Sequence, residues 1–132
     1  MQTFLPYPDF TRSAQCLDMR RLGKQRVEAL QIYNALAGTS RGWANHPATN
    51  MWRGYRHALA LYHNACINEW VARGYKNTMP QLSHPAALSL PPWLGDDKFH
   101  SAHRSNLLRK DPLYYARFNW TEPLDLPYVW PT

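Results

Sequence analysis

Hydrophobic positions recur at helical spacing along most of the chain, and no segment alternates convincingly with the period of two that is typical of a strand. Residues 1–10 are punctuated by prolines and are expected to be extended. Asp9 or Thr11 then caps a short turn that reaches Leu17. The pattern therefore predicts a helical protein with an extended N-terminal segment.

Two long helices are predicted in the first half of the chain. The first begins after a cap at Asp18 and ends at Gly38, because carboxylates commonly begin helices and glycines commonly end them. The second begins at residues 45–47, where Asn-His-Pro combines a capping side chain with a proline, and it ends at Gly74. Gly54 is the candidate position for a break in this second helix.

A third helix is predicted from His100 to Lys110, where the Asp-Pro sequence at 111–112 stops it. Residues 76–99 have several prolines and no clear period, which favours an ordered but irregular connection. Residues 113–132 form an aromatic and proline-rich tail that is expected to wrap over the helices. We therefore predict an all-α fold: one compact three-helix domain over residues 1–132, with long irregular connections.

One face of the first long helix is mainly polar and basic and comprises Arg21, Lys24, Gln25, Glu28, Gln31 and Ile32. The other face comprises Leu22, Arg26, Ala29, Leu30, Tyr33 and Ala37. Periodicity alone favours an ordinary surface ion pair between Lys24 and Glu28, worth a few tenths of a kcal/mol. The alternative is that a polyanion binds this face and that Glu28, its lone carboxylate, performs chemistry there.

The net charge of the chain favours the second interpretation, in which a polyanion binds this face. It has 15 Lys and Arg against 9 Asp and Glu, a net charge of +6 and a pI near 9.6. Such a balance is typical of proteins that bind nucleic acid or an anionic surface. No apolar run approaches the length of a membrane span, and the N-terminal residues do not resemble a signal peptide. We therefore expect a cytoplasmic, nucleoid-associated protein with no membrane partner.

Histidines and cysteines form no recognised metal-binding pattern. Residues 96–103 hold the only local cluster, two aspartates and two histidines, and no second ligand pair has a recognised spacing. Cys16 and Cys66 lie in apolar helical settings, where a free cysteine usually behaves as a small buried hydrophobe. We expect no metal and no cofactor.

Aromatic residues lie beside arginines in three places: residues 52–56, 70–75 and 114–118. Aromatic rings can stack on exposed bases while arginines contact phosphates, so this composition suits a nucleic-acid partner. The alternative is that the rings belong to the core and the arginine stems cover them. For the groups at Trp52 and Trp70 we prefer the core interpretation.

Three separated pieces of the chain together resemble one known family. They are Leu22-Gly23-Lys24-Gln25-Arg26-Val27-Glu28, then Gly42-Trp43-Ala44-Asn45-His46 leading to Arg73-Gly74-Tyr75, and His103-Arg104 through Lys110-Asp111-Pro112 to Tyr114-Tyr115. In order and spacing they are similar to the pyrimidine-dimer DNA glycosylases related to phage endonuclease V. The Leu-Gly-x-x-Arg-x-Glu pattern is closer to the bacterial branch of that family than to the phage prototype.

The resemblance implies that the N-terminal segment threads between helices and brings the α-amino group of the chain beside Glu28. It also implies excision of a damaged pyrimidine through a covalent imine, followed by strand cleavage at the abasic site by β-elimination. Because the bulky Gln2 should block removal of Met1, the nucleophile is the amine of Met1, or that of Gln2 if trimming occurs. Val27 stands where the phage prototype has an arginine, so a phosphate or backbone contact is relocated here.

The resemblance and the charge together give eight candidate DNA contacts: Arg21, Lys24, Arg26, His46, Arg104, Lys110, Tyr115 and Arg117. The first three flank the catalytic carboxylate and would bind phosphates. Arg104 and Lys110 would extend this row of phosphate-binding residues, or they are ordinary surface charges. His46 either takes part in the site or only caps a helix. Tyr115 and Arg117 lie in a segment that resembles the aromatic, basic tail placed near the lesion in this family.

Double-stranded damaged DNA is the expected partner, and we expect a monomer with no obligate protein partner. A pyrimidine dimer is the expected lesion, with another damaged base or a modified phage base as alternatives. Two other functions are compatible with the residues. One is a nucleic-acid-binding module of the same fold without catalysis, and the other is a protein-interaction domain whose tail occupies the groove.

Overall fold

A computed structural model of the protein describes residues 1–131, which contain helices and no strand. The helices are α1 (Phe10–Cys16), α2 (Met19–Ala37), α3 (Pro47–Asn50), α4 (Arg56–Ala72), α5 (Asp97–Lys110) and α6 (Pro112–Tyr115), followed by a short 3₁₀ helix at Ala116–Phe118. Three of them are long, and α2 packs against α4. The predicted all-α fold is confirmed.

The predicted helix ends in the first half of the chain are also confirmed. The carboxylate of Asp9 accepts a hydrogen bond from the backbone of α1, and that of Asp18 does the same for α2. Gly38 ends α2 with φ of +78°, a left-handed conformation that glycine adopts without a steric penalty. Gly54 has φ of +87° and lies in the turn between α3 and α4, so the break occurs where it was expected.

Helix α5 begins earlier than predicted, at Asp97 instead of His100. The side chain of Asp96 accepts a hydrogen bond from the backbone of Lys98, and Asp97 places a negative charge in the first turn. Both features stabilise a helix start. An extra turn, α6, also follows Pro112, because the side chain of Asp111 caps it.

The buried side of α2 comprises Leu22, Gln25, Ala29 and Ile32. Gln25 and Ile32 were assigned to the polar, solvent-facing side of the helix, and that assignment was wrong because both residues are buried. The N-terminal segment covers this part of the helix and gives Gln25 buried hydrogen-bond partners. A helical wheel does not include a segment from elsewhere in the chain, so periodicity alone could not reveal this contact.

Trp70 of α4 explains two positions of the Leu-Gly-x-x-Arg pattern. A Cβ atom on Gly23 would lie 3.1 Å from the Trp70 ring, which leaves little room for a side chain there. The guanidinium of Arg26 lies over the same ring, 4.2 Å from its centroid, and donates to Oδ1 of Asn77 at 2.7 Å. Gly23 and Arg26 therefore hold α2 against α4 and the connection that follows it.

The N-terminal segment, residues 2–5, is buried between the helices. The hydroxyl of Thr3 accepts from Nε1 of Trp52 at 3.0 Å, and the Tyr62 hydroxyl donates to the carbonyl of Phe4 at 2.8 Å. Leu5 is held by two histidines of α5, since its N–H donates to Nδ1 of His103 at 3.0 Å and its carbonyl accepts from Nδ1 of His100 at 2.7 Å. The start of the chain is thus part of the core.

Acid should destabilise this arrangement through His103. Burial lowers the pKa of His103 to about 3, below the unfolded value near 6.5, so its contribution to stability is complete above pH 6.5 and is lost as the pH falls toward 3. Between pH 7.5 and 5.0 we expect this histidine to remove about 2 kcal/mol from the free energy of unfolding. Urea unfolding at the two pH values measures the loss.

His103→Gln keeps an acceptor for the Leu5 N–H but does not titrate in this range, so its stability should depend less on pH. His84→Gln changes an exposed histidine and is the matched control. Equal pH dependence in wild type and His103→Gln would show that His103 is not the group responsible.

No helix in the part of the chain that the structure describes is long and apolar enough to span a membrane. Residues 1–131 also bring together no group of three His, Cys, Asp or Glu side chains suited to a metal ion. The histidines and aspartates of residues 96–103 instead serve the fold, as caps and as partners of Leu5.

Candidate active site

A cleft of about 600 Å³ lies between the start of the chain, α2 and the end of α5. Its lining comprises Met1, Gln2, Phe4, Asp18, Arg20, Arg21, Lys24, Gln25, Glu28, Lys110, Asp111 and Tyr128. Six of these are candidate residues from the sequence, and they come from three separate segments of the chain: Met1, Gln2, Arg21, Lys24, Glu28 and Lys110.

Glu28 lies directly beside the start of the chain. The backbone N–H of Gln2 donates to Oε2 of Glu28 at 3.2 Å. Gln25, one turn earlier on α2, fixes this approach: its Nε2 donates to the carbonyl of Gln2 at 2.6 Å, and its Oε1 accepts from the N–H of Phe4 at 2.9 Å. The side chain of Gln25 thus pairs with a backbone carbonyl and a backbone N–H of the N-terminal segment. This pairing holds residue 1 at the wall of the cleft.

The cations of the cleft are close enough to influence one another. Burial lowers the pKa of Lys110, and the positive charges of Arg21, Arg109 and Lys24 lower it further. Such crowding of like charges in a cleft favours a bound anion. Arg20, which the sequence did not single out, also lines the cleft and extends this basic surface.

Asp18, which caps α2, also contributes a carboxylate to the cleft, and it is held by contacts within the fold. Arg21 donates to its Oδ1 at 3.1 Å, and the hydroxyl of Tyr115 donates to the same atom at 2.5 Å. Burial raises the pKa of Asp18, but the hydrogen bonds from Tyr115 and Arg21 outweigh it, so the pKa is lowered overall. Asp18 therefore stays ionised as a helix cap and as an anchor for α6.

Tyr115 and Arg117 do not line the cleft. Tyr115 is fully buried, and contact with DNA would require its ring to leave the core. Arg117 is exposed, and its guanidinium lies 3.9 Å from the centroid of the Tyr114 ring. The predicted DNA contacts of both residues stay predictions.

Arg26 and Arg104 also lie outside the lining of the cleft and have partners within the protein. Arg26 packs on Trp70, as described above. The Nε of Arg104 donates to Oε2 of Glu122 at 3.0 Å, and its Nη1 donates to the carbonyl of Pro6 at 2.8 Å. Arg104 thereby connects α5 to the C-terminal tail and to the N-terminal segment.

His46 caps α3, since its Nδ1 accepts from the N–H of Ala48 at 3.0 Å. Its pKa is lowered by burial, is lowered further by the positive charge of the N-terminal amine, and is raised in part by Glu28. The imidazole therefore lies within electrostatic reach of both proposed reacting groups. Its ring meets those of Trp43 and Trp130 edge to face.

Besides Arg20, the cleft includes Gln25 and Tyr128, which were not among the site residues predicted from the sequence. Gln25 lies within the Leu22 to Glu28 pattern, and a glutamine on the buried side of a helix is itself a signal that a backbone segment needs hydrogen-bond partners there. Tyr128 lies in the tail and carried no comparable signal.

Residues 1–82 match the family model described as Pyrimidine dimer DNA glycosylase, which is more than half of the chain. The matched region includes the N-terminal segment, α2 with Glu28, and α4. No curated protein matches the chain, and no solved structure matches it.

Proposed function

Because the chain belongs to the pyrimidine dimer DNA glycosylase family, we propose that it excises its damaged base through an imine to its N-terminal amine, with Glu28 as the catalytic carboxylate. The observation that carries this proposal is the 3.2 Å hydrogen bond between the Gln2 nitrogen and the Glu28 carboxylate. It places the start of the chain and the lone acid of a basic helix in one cleft.

An α-amine suits this chemistry. The nucleophile that attacks the sugar must be unprotonated, and an α-amine with an ordinary pKa near 8 is about a tenth neutral at pH 7. A lysine with an ordinary pKa near 10.4 is neutral only to a few parts in ten thousand at about pH 7. An α-amine is therefore a better nucleophile than a lysine of ordinary pKa at neutral pH.

The proposed reaction has two stages. In the first, the amine nitrogen attacks C1′, the bond to the damaged base breaks and the base leaves with the electron pair. Opening of the sugar then gives an imine and a 4′ hydroxyl. In the second, loss of the C2′ proton lets the C3′–O bond break, which expels the 3′ phosphate. Water hydrolyses the imine and releases the amine.

Glu28 can serve each stage from one position. Its negative charge stabilises the positive charge that develops at C1′. As an acid it protonates the ring oxygen when the sugar opens, and as a base it removes the C2′ proton. The N–H of Gln2 holds the carboxylate in place for these transfers.

Two residues are candidates for the amine. If the mature chain retains Met1, its amine lies one residue beyond the nitrogen that contacts Glu28. If Met1 is trimmed, the Gln2 nitrogen becomes the amine and already lies 3.2 Å from the carboxylate. Both forms are compatible with the proposal, and the trimmed form requires the smaller movement.

The basic wall of the cleft is the proposed site for DNA phosphates. Arg20, Arg21, Lys24 and Lys110 all contribute to it. Binding by such a surface releases counterions from DNA, so the affinity should fall steeply as salt increases.

A duplex with one cyclobutane pyrimidine dimer tests the proposed function. We expect cleavage of a glycosidic bond in the dimer and a strand break 3′ to the sugar that is attacked, whose end is an unsaturated aldehyde because β-elimination leaves that product. The detached base stays joined to its neighbour through the cyclobutane ring, so photoreversal of the dimer after the reaction is needed to release it for detection. An undamaged duplex should stay intact under the same conditions. Tight binding without glycosidic cleavage would instead support the binding module of the same fold. Glycosidic cleavage without a strand break would show that the protein lacks the proposed lyase step.

A further inference from the structure

The side-chain amide of Gln2 is buried and only half satisfied. The residue is 5% exposed, and its Oε1 accepts a hydrogen bond from the N–H of Thr3 at 2.9 Å. Its Nε2 is buried and has no hydrogen-bond partner within residues 1–131. A buried donor without a partner destabilises the folded chain, so its presence in a native structure needs a reason other than packing.

The backbone nitrogen of Gln2 lies beside a base. It is 3.2 Å from Oε2 of Glu28, and the hydrogen bond from Nε2 of Gln25 to the Gln2 carbonyl, at 2.6 Å, fixes the residue there. While Met1 precedes it, this nitrogen belongs to a peptide bond and its lone pair is delocalised. Removal of Met1 would convert it into an amine next to a carboxylate.

A glutamine in the first position carries an electrophile of its own, the side-chain carbonyl carbon Cδ. Attack by its amine closes a five-membered ring and needs no second molecule. Here the N–H of Thr3 already donates to Oε1, the oxygen on which negative charge develops during the attack. Glu28 is in place to take the proton from the attacking nitrogen. The leaving group is Nε2, which no hydrogen bond within the described chain holds.

We propose that a chain without Met1 closes Gln2 into a pyroglutamyl ring within the fold, and that Met1 therefore supplies the working amine. The bond between the α-nitrogen and Cδ forms while the bond between Cδ and Nε2 breaks. Glu28 transfers one proton from the attacking nitrogen to the departing one, and ammonia leaves. The nitrogen that remains is an amide and cannot form an imine.

This inference decides between the two candidate amines. A chain that keeps Met1 has its first residue at the cleft, and a thioether side chain offers no carbonyl for the amine to attack. A chain that begins at Gln2 keeps its amine only until the ring closes. The choice of Met1 as the nucleophile rests on the proposed function, whereas the ring closure does not.

The test compares the protein that begins at Met1 with one whose removable extension leaves Gln2 first. Intact mass follows the loss of one ammonia at neutral pH, and tandem mass spectrometry locates it at residue 2. The folded Gln2-first chain should lose ammonia at least about 10-fold faster than the same chain in guanidinium chloride, because a positioned base assists the reaction only in the fold. Glu28→Gln should bring the folded rate close to the unfolded one.

Borohydride trapping on a duplex with an abasic site measures the consequence. The trapping yield of the Gln2-first chain should fall as the ring closes, while the Met1 chain keeps both its mass and its yield. Gln2→Asn in the same trimmed form is the matched control, because its shorter amide would have to close a strained four-membered ring. This variant should keep its amine and continue to trap.

Ring closure that is no faster in the folded chain than in guanidinium chloride would overturn this inference. Undiminished trapping by a Gln2-first chain whose ring has closed would overturn it as well. Ring closure at the expected rate without trapping by the Met1 chain or by freshly cleaved Gln2-first chain would refute the catalytic proposal, while the ring closure itself would stand.

Discussion

Glu28→Gln is expected to lower strand cleavage at a pyrimidine dimer by about 10²- to 10⁴-fold, the range typical of a lost acid and base. The amide has nearly the same shape as the carboxylate, and its oxygen can still accept the hydrogen bond from Gln2. It carries no negative charge and cannot take up the C2′ proton. Cleavage of a labelled duplex under single-turnover conditions measures the effect.

Binding should separate from catalysis in this variant. Affinity for a duplex with a tetrahydrofuran analogue should stay within a few-fold of wild type, since the basic wall of the cleft is intact. Asp97→Asn is the matched control, because it makes the same chemical change on a side chain that is 91% exposed. Cleavage at the wild-type rate by Glu28→Gln would show that another carboxylate, with Asp18 the first to examine, performs the chemistry.

Blocking the N-terminal amine is expected to reduce both excision and strand cleavage to background. An amide nitrogen in place of the amine cannot form an imine. A short N-terminal extension should also be excluded from the cleft wall, because residues 2–5 are buried and leave little space for additional chain.

A removable extension provides the control within one preparation. The protein should be inactive before proteolysis and active after a protease leaves the native first residue. Comparable far-UV circular dichroism before and after would confirm that the fold is unchanged. Full activity in the extended protein would exclude the α-amine as the nucleophile.

Local sequence signals predicted the helices well. A carboxylate before a helix and a glycine after it act through nearby backbone atoms, so Asp18 and Gly38 could be assigned without knowledge of the tertiary structure. The predicted start of α5, His100, is three residues too late, although the local signals for the true start were present. Asp96 and Asp97 were interpreted as part of a possible metal cluster, whereas they act as the cap and the first-turn charge of the helix.

Contacts between distant segments were harder to predict. Arg26 has the charge of a phosphate ligand, but its position over Trp70 depends on how α4 crosses α2. Tyr115 has an aromatic ring of the kind that stacks on bases, but the structure buries it. Its hydroxyl donates a hydrogen bond to Asp18, which lies 97 residues earlier in the chain. Neither relation follows from helical periodicity.

The position of Glu28 beside the N-terminus depends on a contact between distant segments as well as on the local sequence. The family resemblance implied that position, whereas the residues alone favoured a simpler interpretation, an ion pair with Lys24 at the surface. The missing element was Gln25, whose side chain pairs with the backbone of the N-terminal segment and so brings that segment to Glu28. A buried glutamine one turn before an acid is thus the physical basis of the proposed site.

Borohydride trapping on a duplex with a single abasic site tests the central claim most directly. Borohydride reduces an imine to a stable amine, and proteolysis with mass spectrometry then locates the attached sugar. The account predicts one adduct, on the α-nitrogen of the first residue, whether Met1 or Gln2. Lys110 is the alternative nucleophile to exclude, because it lies in the same cleft and its pKa is lowered by burial. An adduct on Lys110, or no adduct with a free N-terminus, would contradict the account.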